Sequence, residues 1–263
     1  MMKRSQWDSV LLSPNVRERL EDVRTEIALV FPEVAAMVGF GGGQSGHKDL
    51  WEHTKQVVSQ CIQSRTIRWA ALFHDVGKVR CYTKDKDGKI AFIGHEHVSA
   101  KLFAQAVKRV NFGVNEPFFT AEEAKDIKFL VYNLGYVEEY DSGWTDSAVR
   151  RVHRLAGDYF NDLVALARAD ISSKNEARRK QHFEKMKEFH DRAHKLAEIA
   201  ATPQPLISGL GEALSQSFGI PPSKQLGDLV KKLKAAVQAG DLPVQASVET
   251  VIEFVRENKD TYL

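Results

Sequence analysis

Apolar residues recur at helical spacing along nearly every long stretch of this chain, whereas alternating apolar and polar runs bounded by turns are scarce. A short helix is predicted over residues 31–37, and the best strand candidate covers 89–93, after the turn at 85–88. The longer periodic segments predict helices over 50–63, 66–79, 95–110, 121–133, 145–155, 158–174, 175–200 and 246–258. The sequence therefore predicts an all-α protein.

Breaks in this pattern divide the chain into three parts. The glycine run at 41–43 interrupts the helical pattern before Trp51, and the segment Thr202-Pro203-Gln204-Pro205 breaks the helix that precedes it. We expect N-terminal helices with a Gly-rich loop, a main helical domain and a small helical C-terminal tail, over residues 1–45, 46–200 and 201–263.

The composition is that of a soluble globular chain, since 43% of the 263 residues are hydrophobic and 27% are charged. No apolar run approaches the roughly 18 residues of a membrane-spanning helix, and the N-terminal residues carry no secretion signal. We therefore expect a cytoplasmic protein with no membrane contact. Its two cysteines, Cys61 and Cys81, have no partner at zinc-ligand spacing and are expected to stay reduced.

Charge is spread unevenly along the chain. The 37 basic and 35 acidic residues give a net charge of +2, which is too small to indicate nucleic-acid binding by itself. Residues 174–195 hold eight basic and four acidic side chains, residues 221–240 hold four and one, and residues 116–146 hold two and eight. Two interpretations of the basic C-terminal region stay open: contact with an RNA or nucleotide backbone, or an ordinary solvated helix surface.

Segment 70–78 is the most informative part of the sequence for chemistry. His74 and Asp75 emerge together from an apolar helical segment, and burying them costs free energy unless something binds them. Another histidine, His53, lies near the start of a predicted helix, and Asp170 ends an apolar one. Each residue alone is explained as a helix cap or a satisfied core group. Together, imidazole and carboxylate donors in this order on helices favour a divalent-metal site.

The pattern His53, His74-Asp75 and Asp170 resembles that of the HD superfamily of metal-dependent phosphohydrolases, and residues 92–97 resemble the segment that follows it there. Further segments are similar to the C-terminal HD half of bacterial tRNA nucleotidyltransferases, the family of CCA-adding enzymes and poly(A) polymerases; these are residues 29–39, 47–54, 148–157, 205–209 and 219–227. The resemblance implies an HD-domain helical bundle with a small helical C-terminal tail.

Two departures from these families change what is expected. The chain has no Gly-rich strand-turn with a paired Asp-x-Asp motif, which the nucleotide-transferring head of that family requires. We therefore expect no transfer of CMP or AMP to tRNA ends by this chain. Many HD proteins that hold two metals have a histidine where this chain has Asn133, so one ion is expected rather than two.

The resemblance also implies roles for individual side chains. The expected ligands of one divalent ion (Mg, Mn, Ni, Co or Fe) are His53, His74, Asp75 and Asp170. Catalytic roles are expected for Asp75, Lys78 and His95. Substrate contacts are expected for Lys78, His95, Arg150, Arg151 and His47.

Several of these side chains also have a simpler interpretation. Lys78 lies one helical turn beyond His74. It is expected either to contact a phosphate oxygen or to be a solvated lysine at a helix end. His95 is expected to act as a general acid or to contact the metal ligands without binding the metal itself. His97 is expected to be exposed or to cap the helix. One of Arg150 and Arg151 clamps phosphate, and the other is a surface charge.

The leading hypothesis is a metal-dependent phosphohydrolase, acting as a phosphomonoesterase or 2′,3′-cyclic phosphodiesterase on nucleotides or RNA ends. One alternative is a nucleotide pyrophosphohydrolase or deoxynucleotidase. The other is a non-catalytic RNA-binding module derived from a tRNA nucleotidyltransferase. The presence of all four expected ligands favours an enzyme over such a module, and the oligomeric state is not determined by the sequence.

Overall fold

Helices dominate the computed structural model, which describes residues 2–41, 49–87, 90–171, 173, 175–201 and 204–263. The earlier helices are α1 (Arg4–Leu11), α2 (Val16–Asp22), α3 (Arg24–Val30), α4 (Pro32–Ala35), α5 (Leu50–Gln60), α6 (Arg65–Phe73), α7 (Lys78–Cys81) and α8 (His95–Val110). The later helices are α9 (Ala121–Glu138), α10 (Asp146–Ala156), α11 (Phe160–Ala169), α12 (Glu176–Ala201), α13 (Leu210–Phe218), α14 (Lys224–Ala239), α15 (Val248–Glu257) and α16 (Lys259–Tyr262). The prediction of an all-α fold is confirmed.

Extended structure in the described residues is limited to one short hairpin. Strands β1 (Thr83–Lys84) and β2 (Ile90–Ala91) pair antiparallel, so the strand predicted over 89–93 is present in a shorter form. A 3₁₀ turn at Gly157–Tyr159 joins α10 to α11. Among the described helices, none combines the length and the apolar character that crossing a membrane requires.

The chain divides into two compact units, Met1–His194 and Lys195–Leu263. In the second unit, the helices α13 to α16 enclose a small core of their own that includes Leu214, Leu233, Val251 and Val255. The three-part division at residues 45/46 and 200/201 stays a prediction.

Two helices end earlier than the sequence predicts, and both ends carry candidate ligands. The helix predicted over 66–79 ends at Phe73, because the next residues tighten into a turn in which the Lys78 amide donates to the Asp75 carbonyl at 3.0 Å. The helix predicted over 158–174 ends at Ala169, which leaves Asp170 just beyond α11. Both aspartates are therefore placed outside regular helix.

Other helix bounds also differ from the pattern. The helix predicted over 31–37 is present only as α4, which has four residues. The helix predicted over 121–133 continues to Glu138, because Leu134 and Val137 extend its buried face. In this extension Val137 is buried and Glu138 is half-buried, whereas Tyr136 is exposed.

Aromatic packing around α6 forms the core of the first unit. Every residue of α6 from Ile67 to Phe73 is buried. The fully buried ring of Trp69 lies with its centroid 5.0–6.3 Å from those of Trp7, Phe31, Phe73, Phe118 and Phe119. Since α6 is buried on all sides, the residues that follow its C-terminal end also lie inside the unit.

A polar contact joins α2 to α5, the helix that carries His53. The Glu21 carboxylate accepts hydrogen bonds from Lys55 Nζ at 2.7 Å and from Trp51 Nε1 at 3.0 Å. Mainly through the hydrogen bond from Lys55, these contacts lower the pKa of Glu21 to about 2. The ionised form of Glu21 therefore stabilises the folded state.

We predict that Glu21→Gln lowers the free energy of unfolding at pH 7 by about 1 kcal/mol, a value reduced for solvent screening because the Glu21 side chain is 42% exposed. Because the folded pKa lies below the unfolded value, this stabilisation is fully present above about pH 4.5 and is lost as the pH falls through about 2. Urea denaturation across this range checks the expectation. Glu18→Gln, at an exposed position earlier on α2, is the matched control. An equal loss in both variants, or a difference that persists at pH 2, would contradict it.

Candidate metal centre

The first histidine is positioned by the N-terminal cap of α5. The Asp49 carboxylate accepts hydrogen bonds from the amides of Trp51 at 2.9 Å and Glu52 at 3.1 Å, which satisfies the free amides of the first helical turn. Its other oxygen accepts from the Gly39 amide at 2.7 Å. This cap fixes the start of α5 and places His53 on its first turn.

The His-Asp pair occupies the turn between α6 and α7, which packs tightly against α8. His74 is 3% exposed and Asp75 is 1% exposed. The Gly77 amide donates to Ser99 Oγ at 2.8 Å, and a Cβ at Gly77 would lie only 2.3 Å from the His95 carbonyl oxygen. Only glycine allows this approach, which brings the start of α8 and its His95 to the pair.

The distant aspartate is held at the end of α11. The Asp170 amide donates to the Leu166 carbonyl at 3.0 Å, and Gln60 of α5 donates to the Ala169 and Ile171 carbonyls on either side of Asp170. The C-terminal end of α11 is thereby tied to α5, the helix that carries His53.

The four expected ligands lie close together, and the atoms of His53, His74 and Asp170 form the group that is mutually close. His53 Nε2 lies 3.0 Å from Asp170 Oδ1 and 3.3 Å from Asp75 Oδ2. His74 Nε2 lies 3.3 Å from the same Asp75 oxygen, 3.5 Å from the same Asp170 oxygen and 3.4 Å from His53 Nε2. One ligand atom each from His53, His74 and Asp170 falls within 4.8 Å of the other two. Two nitrogens and two carboxylate oxygens thus converge.

Hydrogen bonds orient the imidazoles so that one nitrogen of each faces the centre. His74 Nδ1 donates to the Ala71 carbonyl at 2.7 Å, and His95 Nδ1 donates to the Phe92 carbonyl at 3.0 Å, assignments that follow from these acceptors. The Nε2 atoms then keep a lone pair toward the centre, the tautomer a metal ligand needs. His95 Nε2 lies 3.5 Å from Asp75 Oδ1, so His95 borders the same centre.

The polar atoms of the centre are not satisfied by the protein alone. Asp170 Oδ1 is buried and accepts no well-aligned hydrogen bond, although two imidazole nitrogens lie near it. His53 Nδ1 is likewise buried without a partner. An unsatisfied buried carboxylate oxygen is costly, and a divalent cation would compensate it. The donor set therefore fits a divalent metal ion.

The carboxylates give the centre a strong preference for positive charge. Burial lowers the pKa of His74, but the charges of Asp75 and Asp170 outweigh it and hold that pKa well above its usual value. Burial acts on His53 in the same way, and the nearby carboxylates of Asp170 and Asp75 outweigh it, so that the pKa of His53 is raised. Burial raises the pKa of each aspartate, yet the facing cations, above all His74, hold both below their usual range.

Glu138 also belongs to the centre, and the sequence did not indicate it. Burial and the charge of Asp170 hold the pKa of Glu138 well above its usual value, which places the Glu138 carboxyl group beside Asp170. In the sequence, Glu138 is one of two adjacent acidic residues in an acidic stretch, which is typical of a surface. Its burial comes from the packing of α9 against α11, for which no local signal exists.

The remaining expected residues have different positions. Lys78 Nζ lies 2.7 Å from the Asp75 carboxylate, so its charge is engaged with that aspartate. His97 is exposed. Arg150 is half-buried and Arg151 exposed on α10, and the described residues include no hydrogen bond or ion pair between either guanidinium and a candidate ligand. His47 lies outside the described residues.

Comparisons with known proteins relate this chain to tRNA nucleotidyltransferases. It is 27% identical over 222 residues to the A-adding tRNA nucleotidyltransferase of Deinococcus radiodurans, a match that covers 81% of this chain and 48% of that enzyme. It is 24% identical over 242 residues to the CC-adding tRNA nucleotidyltransferase of Thermus thermophilus, covering 89% of this chain and 51% of that enzyme. A third match, to the multifunctional CCA protein of Pseudomonas fluorescens, is 33% identical over 107 residues and covers 39% of this chain and 24% of that protein.

These similarities support the relation to tRNA nucleotidyltransferases that the sequence motifs indicated. The chain spans about half the length of the first two relatives. No protein-family model matches it. Assignment to the HD superfamily therefore stays a prediction.

We predict that Gly77→Ala lowers the free energy of unfolding by about 2–3 kcal/mol, because the added methyl group meets the backbone of α8 and must displace it. The same clash strains the turn that carries His74 and Asp75, two of the candidate ligands, and is expected to weaken metal binding. Thermal unfolding monitored by circular dichroism and metal titration by calorimetry measure both effects. The matched control is Gly227→Ala in α14, where a methyl group meets nothing within 4 Å. Stability and metal affinity equal to wild type in the Gly77 variant would contradict this account.

Proposed function

We propose that this chain is a metal-dependent phosphohydrolase of the HD type that acts on nucleotides or RNA ends, as a phosphomonoesterase or 2′,3′-cyclic phosphodiesterase. The observation that carries the proposal is the convergence of His53, His74, Asp75 and Asp170 around a buried point where an Asp170 oxygen lacks a hydrogen bond. The similarity to tRNA nucleotidyltransferases favours RNA ends among phosphoester substrates.

The four converging residues would hold one divalent ion, with Mg, Mn, Ni, Co and Fe as candidates. When bound, such an ion neutralises phosphoryl oxygens and lowers the pKa of water, which is the usual contribution of a metal to phosphoester hydrolysis. Burial of the centre excludes competing solvent. The hydrogen bond from His74 to the Ala71 carbonyl and the contact between Glu138 and Asp170 keep these ligands oriented.

Two side chains at the rim of the centre have proton-transfer or charge roles. His95 is held by its bond to the Phe92 carbonyl, which leaves Nε2 free to exchange a proton with the leaving group. Lys78 orients Asp75 and adds positive charge beside the position of the phosphoryl group. Direct phosphate contacts by Lys78, Arg150, Arg151 and His47 are part of the proposal.

Two alternative functions differ in whether they need the metal centre. A nucleotide pyrophosphohydrolase or deoxynucleotidase would need the same metal centre and differs only in substrate. A non-catalytic RNA-binding module would not need it, so the complete set of donors at contact distance favours an enzyme. RNA contact through the basic C-terminal region is compatible with each of these functions.

We predict that the purified chain hydrolyses at least one member of a panel of 2′-, 3′- and 5′-nucleoside monophosphates, 2′,3′-cyclic nucleotides and phosphorylated RNA ends, and that activity depends on a bound divalent metal ion. His74→Ala and Asp75→Ala are each expected to lower kcat/KM at least about 100-fold, because the remaining donors cannot hold the ion. Phosphate release and chromatography of the products measure the reaction.

The control for these variants is His190→Ala, which removes a histidine of α12 outside the centre and is expected to leave activity unchanged. Circular dichroism shows whether each variant is folded. Wild-type activity in both centre variants, or activity that resists chelation, would contradict the assignment. Turnover of nucleoside or deoxynucleoside triphosphates alone would favour the pyrophosphohydrolase or deoxynucleotidase alternative.

We predict one tightly bound divalent ion per chain, with an affinity that weakens as the pH falls from 8 to 6. The imidazoles of His53 and His74 have raised pKa values without metal, so protons compete with the ion and are released when it binds. At the position expected for a second-metal ligand, Asn133 donates from Nδ2 to the Phe129 carbonyl at 2.8 Å and offers only a neutral amide oxygen, which is a weaker metal ligand than an imidazole nitrogen. Elemental analysis after dialysis measures stoichiometry, and calorimetry in two buffers measures proton release. Two retained equivalents, or a pH-independent affinity, would contradict this prediction.

A further inference from the structure

A broad groove runs between α8 and α9, outside the candidate metal centre. Its volume is about 920 Å³, and its floor is apolar, formed by residues such as Ala100, Ala104 and Val107. At one end the rings of His97 and Tyr132 meet edge to face at 5.8 Å. From His97 to Lys108 the helix rises about 16 Å, so the groove is long enough for several consecutive units of a linear polymer.

The rim of this groove carries four lysines and no acidic residue. Lys101 and Lys108 lie two turns apart on α8, and Lys125 and Lys128 lie one turn apart on α9. All four side chains are exposed, and within the described ranges none of them takes part in an ion pair. An uncompensated row of ammonium groups on two facing helices is complementary to a chain of phosphates.

Aromatic rings stand among these lysines. The Tyr132 ring is 44% exposed at the groove wall. Phe129, one turn earlier, lines the same groove while its ring stacks on Tyr159 with centroids 4.4 Å apart. Exposed aromatic rings between basic side chains are the combination that holds single-stranded nucleic acid, since unpaired bases stack on the rings while lysines contact phosphates. Base-paired duplexes offer no free base faces for this.

One end of the groove lies on the first turn of α8, the helix whose first residue borders the candidate metal centre. His97 lies two residues after His95, whose Nε2 is 3.5 Å from Asp75 Oδ1. A smaller cavity of about 210 Å³ shares His97 and Tyr132 with the groove and is also lined by Gly94 and by two acidic residues, Glu96 and Glu139. A strand lying in the groove would therefore reach the element that borders the centre.

We propose that the α8–α9 groove binds a single-stranded RNA segment, with phosphates on Lys101, Lys108, Lys125 and Lys128 and a base stacked on Tyr132. The groove is a more suitable phosphate surface than residues 174–195, where Lys187 and Arg192 already pair with Asp191 and Asp146. The proposal rests on the proposed function for the chemistry at the end of the strand. RNA binding itself is independent of that chemistry.

The test measures binding of the full chain to a fluorescently labelled single-stranded RNA of about 12 nucleotides by anisotropy, without added metal. Lys101→Ala/Lys128→Ala is expected to weaken binding at least about tenfold and to reduce the dependence of log affinity on log salt by about 0.7 for each lost phosphate contact. Tyr132→Ala is expected to lose about tenfold, whereas Tyr132→Phe keeps the ring and the affinity. A duplex RNA of the same sequence is expected to bind more weakly than the single strand.

The matched control is Arg256→Ala/Lys259→Ala, which removes two exposed cations from α15 and α16 and is expected to bind like wild type. Thermal unfolding verifies that each variant is folded. His74→Ala, which tests the metal centre, is expected to bind RNA normally, so a failure of hydrolysis and a failure of RNA binding are distinguishable. Wild-type affinity in the lysine variant overturns the proposal, as does a loss confined to Lys231→Ala/Lys234→Ala in α14. Undiminished binding by Tyr132→Ala overturns the stacking.

Discussion

Two buried carboxylates, Asp75 and Asp170, face the same pair of imidazoles, and the arrangement of the centre depends on compensating their charge. His53, His74 and Lys78 supply positive charge, and burial beside Asp170 holds the pKa of Glu138 well above its usual value. Even so, one Asp170 oxygen lacks a well-aligned hydrogen bond. In a buried environment such an excess of acceptors is costly. A divalent cation resolves it more completely than protons do, which is why the geometry favours a metal centre over a structural ion-pair network.

The candidate ligands of this centre lie in or just beyond the terminal turns of their helices. His53 lies in the first turn of α5, the His-Asp pair follows α6, and Asp170 follows α11. The direction of a side chain that follows the last helical turn is not fixed by the 3.6-residue repeat. Such side chains can therefore converge from several helices on one point. The burial of α6 on all sides places that point inside the unit, and the close packing of Gly77 on α8 adds His95 to it.

Charge counted along the chain differs from charge arranged in space. Residues 116–146 hold eight acidic and two basic side chains, yet both of these basic residues, Lys125 and Lys128, face the α8–α9 groove beside two lysines of α8. The acidic residues of the same stretch are absent from the groove lining, and Glu138 is turned toward the metal centre. An acidic segment therefore contributes two of the four lysines of a basic surface, because the side chains of one helix lie on different faces of it.

The sequence by itself determined the all-α class, since helical periodicity is a local property that each segment expresses without its neighbours. It also determined the four candidate ligands, whose residue types and order carried the prediction. Only the tertiary structure decided where α6 and α11 end, that Glu138 joins the centre and that Asn133 bonds to the Phe129 carbonyl instead. These features depend on contacts between helices far apart in the chain. The packing partners of a side chain at a helix end determine its burial, its pKa and its direction. A local sequence pattern does not contain this information.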